Sequence, residues 1–358
     1  MDTAQSLSFR RLLTEQFKRG ATDLHYSVGS RPTVRIHGSL EPVETEQIVT
    51  DQTIRDLAND MLSTEEQNRL AQEKDFVATR VFDERIRAKI HIFHQEGQLS
   101  ASFRFLSHTP KTLRELNIPS DFEKFLTQKE GLLIVTGGYG SGRTTLAAGI
   151  LEEINRSRVA HIMTIEKPIE YNLVSNKSIV DQREVGVDVA DFSTALKFVA
   201  EEDIDVLFVS DMPDLDAVRR VLELAGAGMF VVAVMNSDSA VRALEKLVTT
   251  FESHHQQHIQ GLLADVLVAV VTQELVPSIG GGIVPVHEVL LNDASVKAMI
   301  VSGRLQQLEQ VIKSSRAQGM MSFDHELAKL VRNQRISRAN ALERARDRLT
   351  LDTLLRAH

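Results

Sequence analysis

The sequence predicts a small α+β domain, then a larger α/β core built on a mostly parallel sheet, then a helical tail. Three observations predict this. From about residue 121, short apolar runs alternate with helical stretches, the pattern of a parallel sheet covered on both faces. Before that point, short β-like runs and a long residue-by-residue alternation read as paired antiparallel strands. The chain has 358 residues with 42% apolar and 25% charged side chains, enough for two independent cores.

In order along the chain, residues 1–20 read as an amphipathic helix, with Leu7, Phe9, Leu12, Leu13 and Phe17 along one face. Residues 22–43 change period and are broken by Gly29, Pro32 and Gly38, which marks short strands and turns. Residues 52–75 return to helical spacing, and 76–106 alternate like strands. This gives a first domain over 1–107. HTPKTLRELNIPS at 108–120 carries two prolines and reads as a linker, and the second domain spans 121–358. Strand candidates there are 132–136, 161–165, 205–210, 229–235 and 283–291, with helical stretches between them. In the tail, Phe323, Leu327, Leu330 and Val331 share a helix face, and Ser337 caps the next helix.

Composition excludes several classes. There is no cysteine, hence no disulfide, thiolate metal site or cysteine nucleophile. A net charge of −8, 5% aromatics and no tryptophan argue against a nucleic-acid partner. The N-terminus lacks the apolar stretch of a signal peptide, and no apolar run approaches the ~20 residues of a spanning helix. The expected location is cytoplasmic, without a transmembrane segment.

The chemistry concentrates in VTGGYGSGRTT at 135–145. Gly137, Gly142 and Thr144 are in register with the phosphate-binding pattern G-x-x-x-x-G-K-[ST], but Arg143 stands where lysine is expected. The stretch follows a strand and opens a helix, the context in which consecutive amides and the helix N-terminus form an anion site. Gly137, Gly138, Tyr139, Gly140, Ser141, Gly142, Arg143, Thr144 and Thr145 form the expected phosphate cradle, with the Thr144 hydroxyl directed to Mg²⁺. Arginine keeps the charge but is longer, planar and forked, so the exchange is not conservative in a tight site. Asp211, at the end of a strand expected beside the loop strand, is the candidate to polarise an attacking water; a solvated carboxylate at a strand end is the plainer alternative. His254 and His258 in HHQQH are spaced i, i+4, but no third ligand stands nearby, so a solvated helix face is the reading.

These residues lie within a longer resemblance. The chain resembles the PilT-like retraction ATPases of type IV pili, within the type II/type IV secretion ATPase family. TDLHYSVGSRPTVRIHGSLEPV resembles the family's N-terminal opening, and GLLIVTGGYGSGRTT its Walker A strand and loop. IMTIEKPIEY resembles the acidic box, VDQREVGVD a family signature, and DVLFVSDMPDLDAVR the Walker B region. AGMFVVAVMNSDSA resembles the histidine box, and GMMSFDHELAKLV the C-terminal helical segment. Seven segments in the right order are far more specific than the loop alone, and they weigh against an unrelated phosphate-binding enzyme such as a kinase.

The resemblance implies a PAS-like N-terminal domain, a RecA-like P-loop NTPase core, and a hexameric ring of like or mixed subunits. It implies ATP with Mg²⁺ bound where subunits meet, and an inner-membrane platform protein of a pilus or secretion machine as partner, which would place the chain peripherally at that membrane. It also implies roles for Glu166 of the acidic box and for Arg85, Arg87 and Arg104 as arginines that reach a neighbour's nucleotide; an alternating strand with a wet arginine face accounts for them equally. Departures fall on the chemistry. The loop lysine is Arg143, the Walker B glutamate is Asp211, and E-D-P is Glu166-Lys167-Pro168. The two box histidines are Met229 and Asn236, two arginines are Pro213 and Glu201, and VKAMI at 296–300 matches only part of the retraction-linked segment. Asp181, Gln182, Arg183, Glu184 and Gly186 match. Shortening glutamate by a methylene shifts the carboxylate by about 1 Å, worth about 10²-fold in rate. A misplaced loop charge costs on the order of 3 kcal/mol. The expectation is an ATP-binding motor subunit with weakened hydrolysis, or a non-catalytic subunit that modulates an active relative.

Overall fold

The computed structural model describes residues 4–36, 39–83, 86–106, 110–119 and 122–356. The chain forms two compact units, Met1–Thr109 with Glu170–Asn172, and Pro110–Ile169 with Leu173–His358.

In the first unit, the helix Ala4–Lys18 lays Phe9, Leu12 and Leu13 on a six-stranded antiparallel sheet. Its strands are β1 (Ala21–Tyr26), β2 (Thr33–Ile36), β3 (Ser39–Pro42), β4 (Asp75–Asp83), β5 (Ile86–Gln95) and β6 (Gln98–Leu106), in the order β3-β2-β1-β6-β5-β4. The alternation read in the sequence is literal in β5. Ile86, Ala88, Ile90 and Ile92 point into the core, and Arg87, Lys89 and His91 point away from it. Phe9 packs edge-on to Tyr26 and tilted on Phe103, centroids 5.6 and 4.8 Å apart, closing the core with aromatic contacts. The stretch of helical spacing over 52–75 forms two helices, Asp51–Met61 and Thr64–Glu73. Ser63 and Glu66 form a reciprocal capping box that starts the second, a local signal stronger than the continuous apolar period.

The second unit holds a seven-stranded sheet in the order β13-β12-β7-β11-β10-β8-β9. The strands are β7 (Gly131–Gly137), β8 (His161–Glu166), β9 (Ile179–Glu184), β10 (Val206–Val209), β11 (Phe230–Asn236), β12 (Leu267–Pro277) and β13 (Ile283–Leu291). All neighbours are parallel except β12 and β13, which form an antiparallel pair. The sheet is covered on both sides: Leu132 and Ile134 of β7 enter one apolar core, Leu133 and Val135 the other. Two strands correct the sequence reading. Leu267–Pro277 is a strand where a helical stretch is expected, because its apolar run is buried among neighbours on both faces and carries no usable period. β9 is half-exposed at the sheet edge, so its polar residues hide it from an apolar-run criterion. Within segment 110–119, where a linker is expected, Leu113 and Ile118 are buried in the second core. The C-terminal helices Phe323–Arg332, Arg338–Arg344 and Arg348–Arg356 pack with Val276, Val284 and Val286 of the β12–β13 hairpin. Ser337 caps the middle one by accepting from Asn340 N–H.

Parallel strands bring their carboxyl ends to one edge. At that edge stand Gly137 at the end of β7, Asn236 of β11, Ser210 and Asp211 after β10, and Glu166 of β8. In such sheets ligands sit outside that edge.

Candidate functional site

The loop is a built structure. Gly137, Gly140 and Gly142 have φ of +155°, +73° and +81°. A Cβ on Gly137 would stand 2.3 Å from both the Gln273 carbonyl oxygen and Ser141 Oγ, so that position admits only glycine. Ser141 is buried, with its N–H on the Gly138 carbonyl at 3.3 Å, and Tyr139 stands exposed at the tip. The 15-residue helix Arg143–Ser157 starts from Gly142, so no side chain caps it. Its first bond runs from Leu146 N–H to the Gly142 carbonyl, 2.9 Å. A glycine-rich turn into an uncapped helix start suits a polyphosphate, since amide dipoles and the helix dipole point at it. Arg143, Thr144 and Thr145 follow in the first turn, all half-buried.

Arg143 reaches from the first turn of the helix to the adjacent strand. Its Nη1 donates to the carbonyl of Met235 at 2.8 Å, near the end of the adjacent strand β11. The guanidinium is held there by a backbone acceptor. A planar fork with several donors can hold that carbonyl and still carry its charge at the rim.

Asp211 is placed differently from expectation. β10 is not beside the loop strand, because β11 lies between them. Asp211 therefore sits one strand further out, with Asn236 at the end of the intervening strand. Asp211 is exposed, and its Oδ1 accepts from the neighbouring Met212 N–H at 2.9 Å. Glu166 is buried at the end of β8 and accepts from Thr164 Oγ1 at 2.7 Å and Gln182 Nε2 at 3.0 Å. Lys167 is exposed, and its N–H donates to Ser210 Oγ at 3.1 Å, tying β8 to β10. Glu184 of β9 accepts from Ile169 N–H at 3.2 Å, which fixes the turn after the acidic box. Asn236 and Met229 lie at opposite ends of β11, roughly 20 Å apart at strand rise, so only Asn236 is at this edge.

The arginines sit in the first unit. Arg87 and Arg104 are on the sheet face away from its core, and Arg104 pairs with Asp23 at 3.0 Å. Arg85 lies outside the described residues. His254 and His258 are exposed on the helix Ser253–Val266, with His254 stacked on His255 at 4.0 Å and beside Glu252 at 3.4 Å. Among the described residues no group of three or more His, Cys, Asp or Glu is placed to hold a metal ion, and no helix is long and apolar enough to cross a membrane.

Sequence reasoning missed the support beneath the loop. Gln273 of β12 donates from Nε2 to the Ser141 carbonyl at 2.8 Å. The available signal was the polar interruption Thr272-Gln273-Glu274 in an otherwise apolar run, since a buried amide needs partners. Also unforeseen is a cavity of about 580 Å³ lined by Asp238, Glu274, Glu288, Asp324 and Arg346 among others. Arg346 bonds the Glu288 carboxylate and the Asp238 carbonyl and stacks 4.6 Å over Phe323, while Asp324 accepts from the Arg346 and Asp347 N–H groups. Burial raises the Asp324 carboxyl above its ordinary range.

Against known proteins, the family model described as type II/IV secretion system protein matches residues 7–353. The type IV pilus retraction ATPase PilT of Pseudomonas aeruginosa is 32% identical over 345 residues, covering 95% of this chain and 98% of that one. The type IV pilus ATPase PilU of the same organism is 30% identical over 343 residues, 95% of this chain and 89% of that one. A crystal structure of the pilus retraction motor PilT with bound ADP superimposes with a TM-score of 0.88 at 30% identity, covering 96% and 98% of the two chains. The Legionella pneumophila ATPase DotB shares the fold, with a TM-score of 0.81 at 20% identity over 94% of each chain.

Proposed function

Because the chain belongs to the type II/IV secretion system protein family, we propose that it is an ATP-binding motor subunit of a type IV pilus or related secretion machine, with weakened hydrolysis. The observation that carries this is the geometry of the glycine-rich turn at 137–142: three glycines at positive φ, walls that exclude a Cβ at Gly137, and an uncapped helix start. The loop amides and the N-terminus of the helix Arg143–Ser157 would take the phosphates, and Thr144 would hold Mg²⁺. When bound, Mg²⁺ neutralises phosphate charge. Arg143 contributes a cation anchored at the rim by the Met235 carbonyl, and Asp211 is the carboxylate available to orient water. Ring assembly with PilT-like subunits would supply Arg85, Arg87 and Arg104 from a neighbour, and a membrane platform protein would receive the motion, as in twitching motility.

A second reading is a non-catalytic subunit that binds nucleotide and modulates an active relative. Two placements favour it: one Arg143 nitrogen is engaged by the Met235 carbonyl, and Asp211 is exposed and bonded to the adjacent backbone amide. The experiment is Mg²⁺-dependent phosphate release by the purified protein, measured beside ATP binding. Turnover abolished by Asp211→Ala upholds the motor; binding with no turnover upholds the modulator. No binding of ATP or ADP overturns both.

A further inference from the structure

Gln273 and His287 face each other across the β12–β13 pair, in register, and both are buried. His287 Nε2 lies 2.8 Å from Gln273 Oε1, and Gln273 Nε2 lies 2.8 Å from the Ser141 carbonyl. A backbone carbonyl only accepts, so the amide nitrogen of Gln273 must face the loop and its oxygen the imidazole. His287 must then carry its proton on Nε2 and donate. The chain of donors therefore has one direction, from His287 to Gln273 to the loop backbone.

Gln273 also walls the loop at two points. Its carbonyl oxygen stands 2.3 Å, and its Nε2 2.8 Å, from where a Cβ would sit on Gly137 and Gly142 respectively. One residue thus brackets both ends of the phosphate loop from beneath. The Phe122 ring stands edge-on, 5.1 Å from the imidazole. Burial holds His287 far below the ordinary histidine range, at about 3, so the imidazole stays neutral at working pH.

We propose that Gln273 and His287 are positioning residues that fix the phosphate loop in its nucleotide-receiving shape through a one-directional buried hydrogen-bond relay. They would touch no nucleotide. The inference rests on the reading of residues 137–145 as a phosphate site.

The test uses the full chain and MgADP as probe. His287→Phe fills the space without a donor, and His287→Gln keeps an N–H. The expected result is that His287→Phe and Gln273→Leu weaken MgADP binding by about tenfold, the effect of losing one buried hydrogen bond, while His287→Gln stays near wild type. Both His287 variants must give wild-type circular dichroism below their melting temperatures. Amide hydrogen exchange of residues 138–142 without nucleotide is measured alongside and should speed up in His287→Phe and Gln273→Leu only. If the wild type binds MgADP and all variants match it in affinity and exchange, the relay proposal is overturned and the phosphate-site reading survives. If the wild type binds no nucleotide, that reading falls, and with it the proposal, whatever the exchange rates show. A His287→Gln variant as impaired as His287→Phe also overturns the relay, since the donor would then be irrelevant.

Discussion

Gly137→Ala should disable the loop, and its effect can be worked from the geometry. The new Cβ would meet the Gln273 carbonyl and Ser141 Oγ, each at 2.3 Å, well inside van der Waals contact. The Gln273 carbonyl belongs to β12, which pairs with β7 on one side and β13 on the other, so it cannot withdraw. Overpacking of this kind costs about 1–3 kcal/mol. Holding alanine at a φ of +155° adds about 1–3 kcal/mol. The sum, about 2–6 kcal/mol, lowers the melting temperature by at least ~4 °C for a unit of this size. Displacement of the loop should abolish measurable MgADP binding. Gly138 is the control: nothing lies within 4 Å of a Cβ there, so Gly138→Ala should change stability by no more than about 0.5 kcal/mol. Gly142→Ala should fall between them, because its φ of +81° strains alanine and its nearest neighbour, Gln273 Nε2 at 2.8 Å, is a side-chain rather than a backbone atom. Differential scanning calorimetry and titration calorimetry read both quantities. Equal melting temperatures for Gly137→Ala and wild type would refute the reasoning.

Three further outcomes are expected. The double variant Arg143→Lys with Asp211→Glu should raise phosphate release about tenfold or more if only these side chains limit turnover; an unchanged rate would place the defect elsewhere on the strand edge. Arg346→Ala should destabilise by about 3–5 kcal/mol in chemical denaturation, because the buried Glu288 carboxylate would lose its cation; a change under 1 kcal/mol would mean solvent screens that pair. His287 is fully buried and its pKa is lowered to about 3 by burial and, secondarily, by Lys329. The unfolded chain takes up this proton near pH 6.5 and the folded chain does not. Stability is therefore full above about pH 6.5 and falls as pH drops toward 3, by up to ~1.4 kcal/mol per pH unit, and His287→Phe should remove that portion of the slope.

Much of the frame was legible because its signals are local. The alternation in 86–92, the apolar run of β7 and the glycine spacing of 137–142 each follow from a backbone requirement that single residues declare. The break at Leu62 was legible too, in the Ser63–Glu66 box, though the longer apolar period masked it. What was not legible depends on which strands become neighbours. Nothing in DVLFVSD says that β11 inserts between it and the loop, and that insertion moves Asp211 one strand outward. The same holds for Arg143: its sequence position states the charge, but only the adjacency of β11 states that Met235 holds it. Glu166 reads as an acidic-box residue, yet Thr164 and Gln182 from two strands decide its environment. Gln273 and His287 carry no motif, because their role arises from cross-strand register.

The most direct measurement is titration of the purified full chain with ATP and ADP in Mg²⁺, run beside phosphate release on the same sample. Saturable binding with turnover far below that of the Arg143→Lys, Asp211→Glu variant is the predicted result. An absence of binding at millimolar nucleotide, with the protein folded, would contradict it.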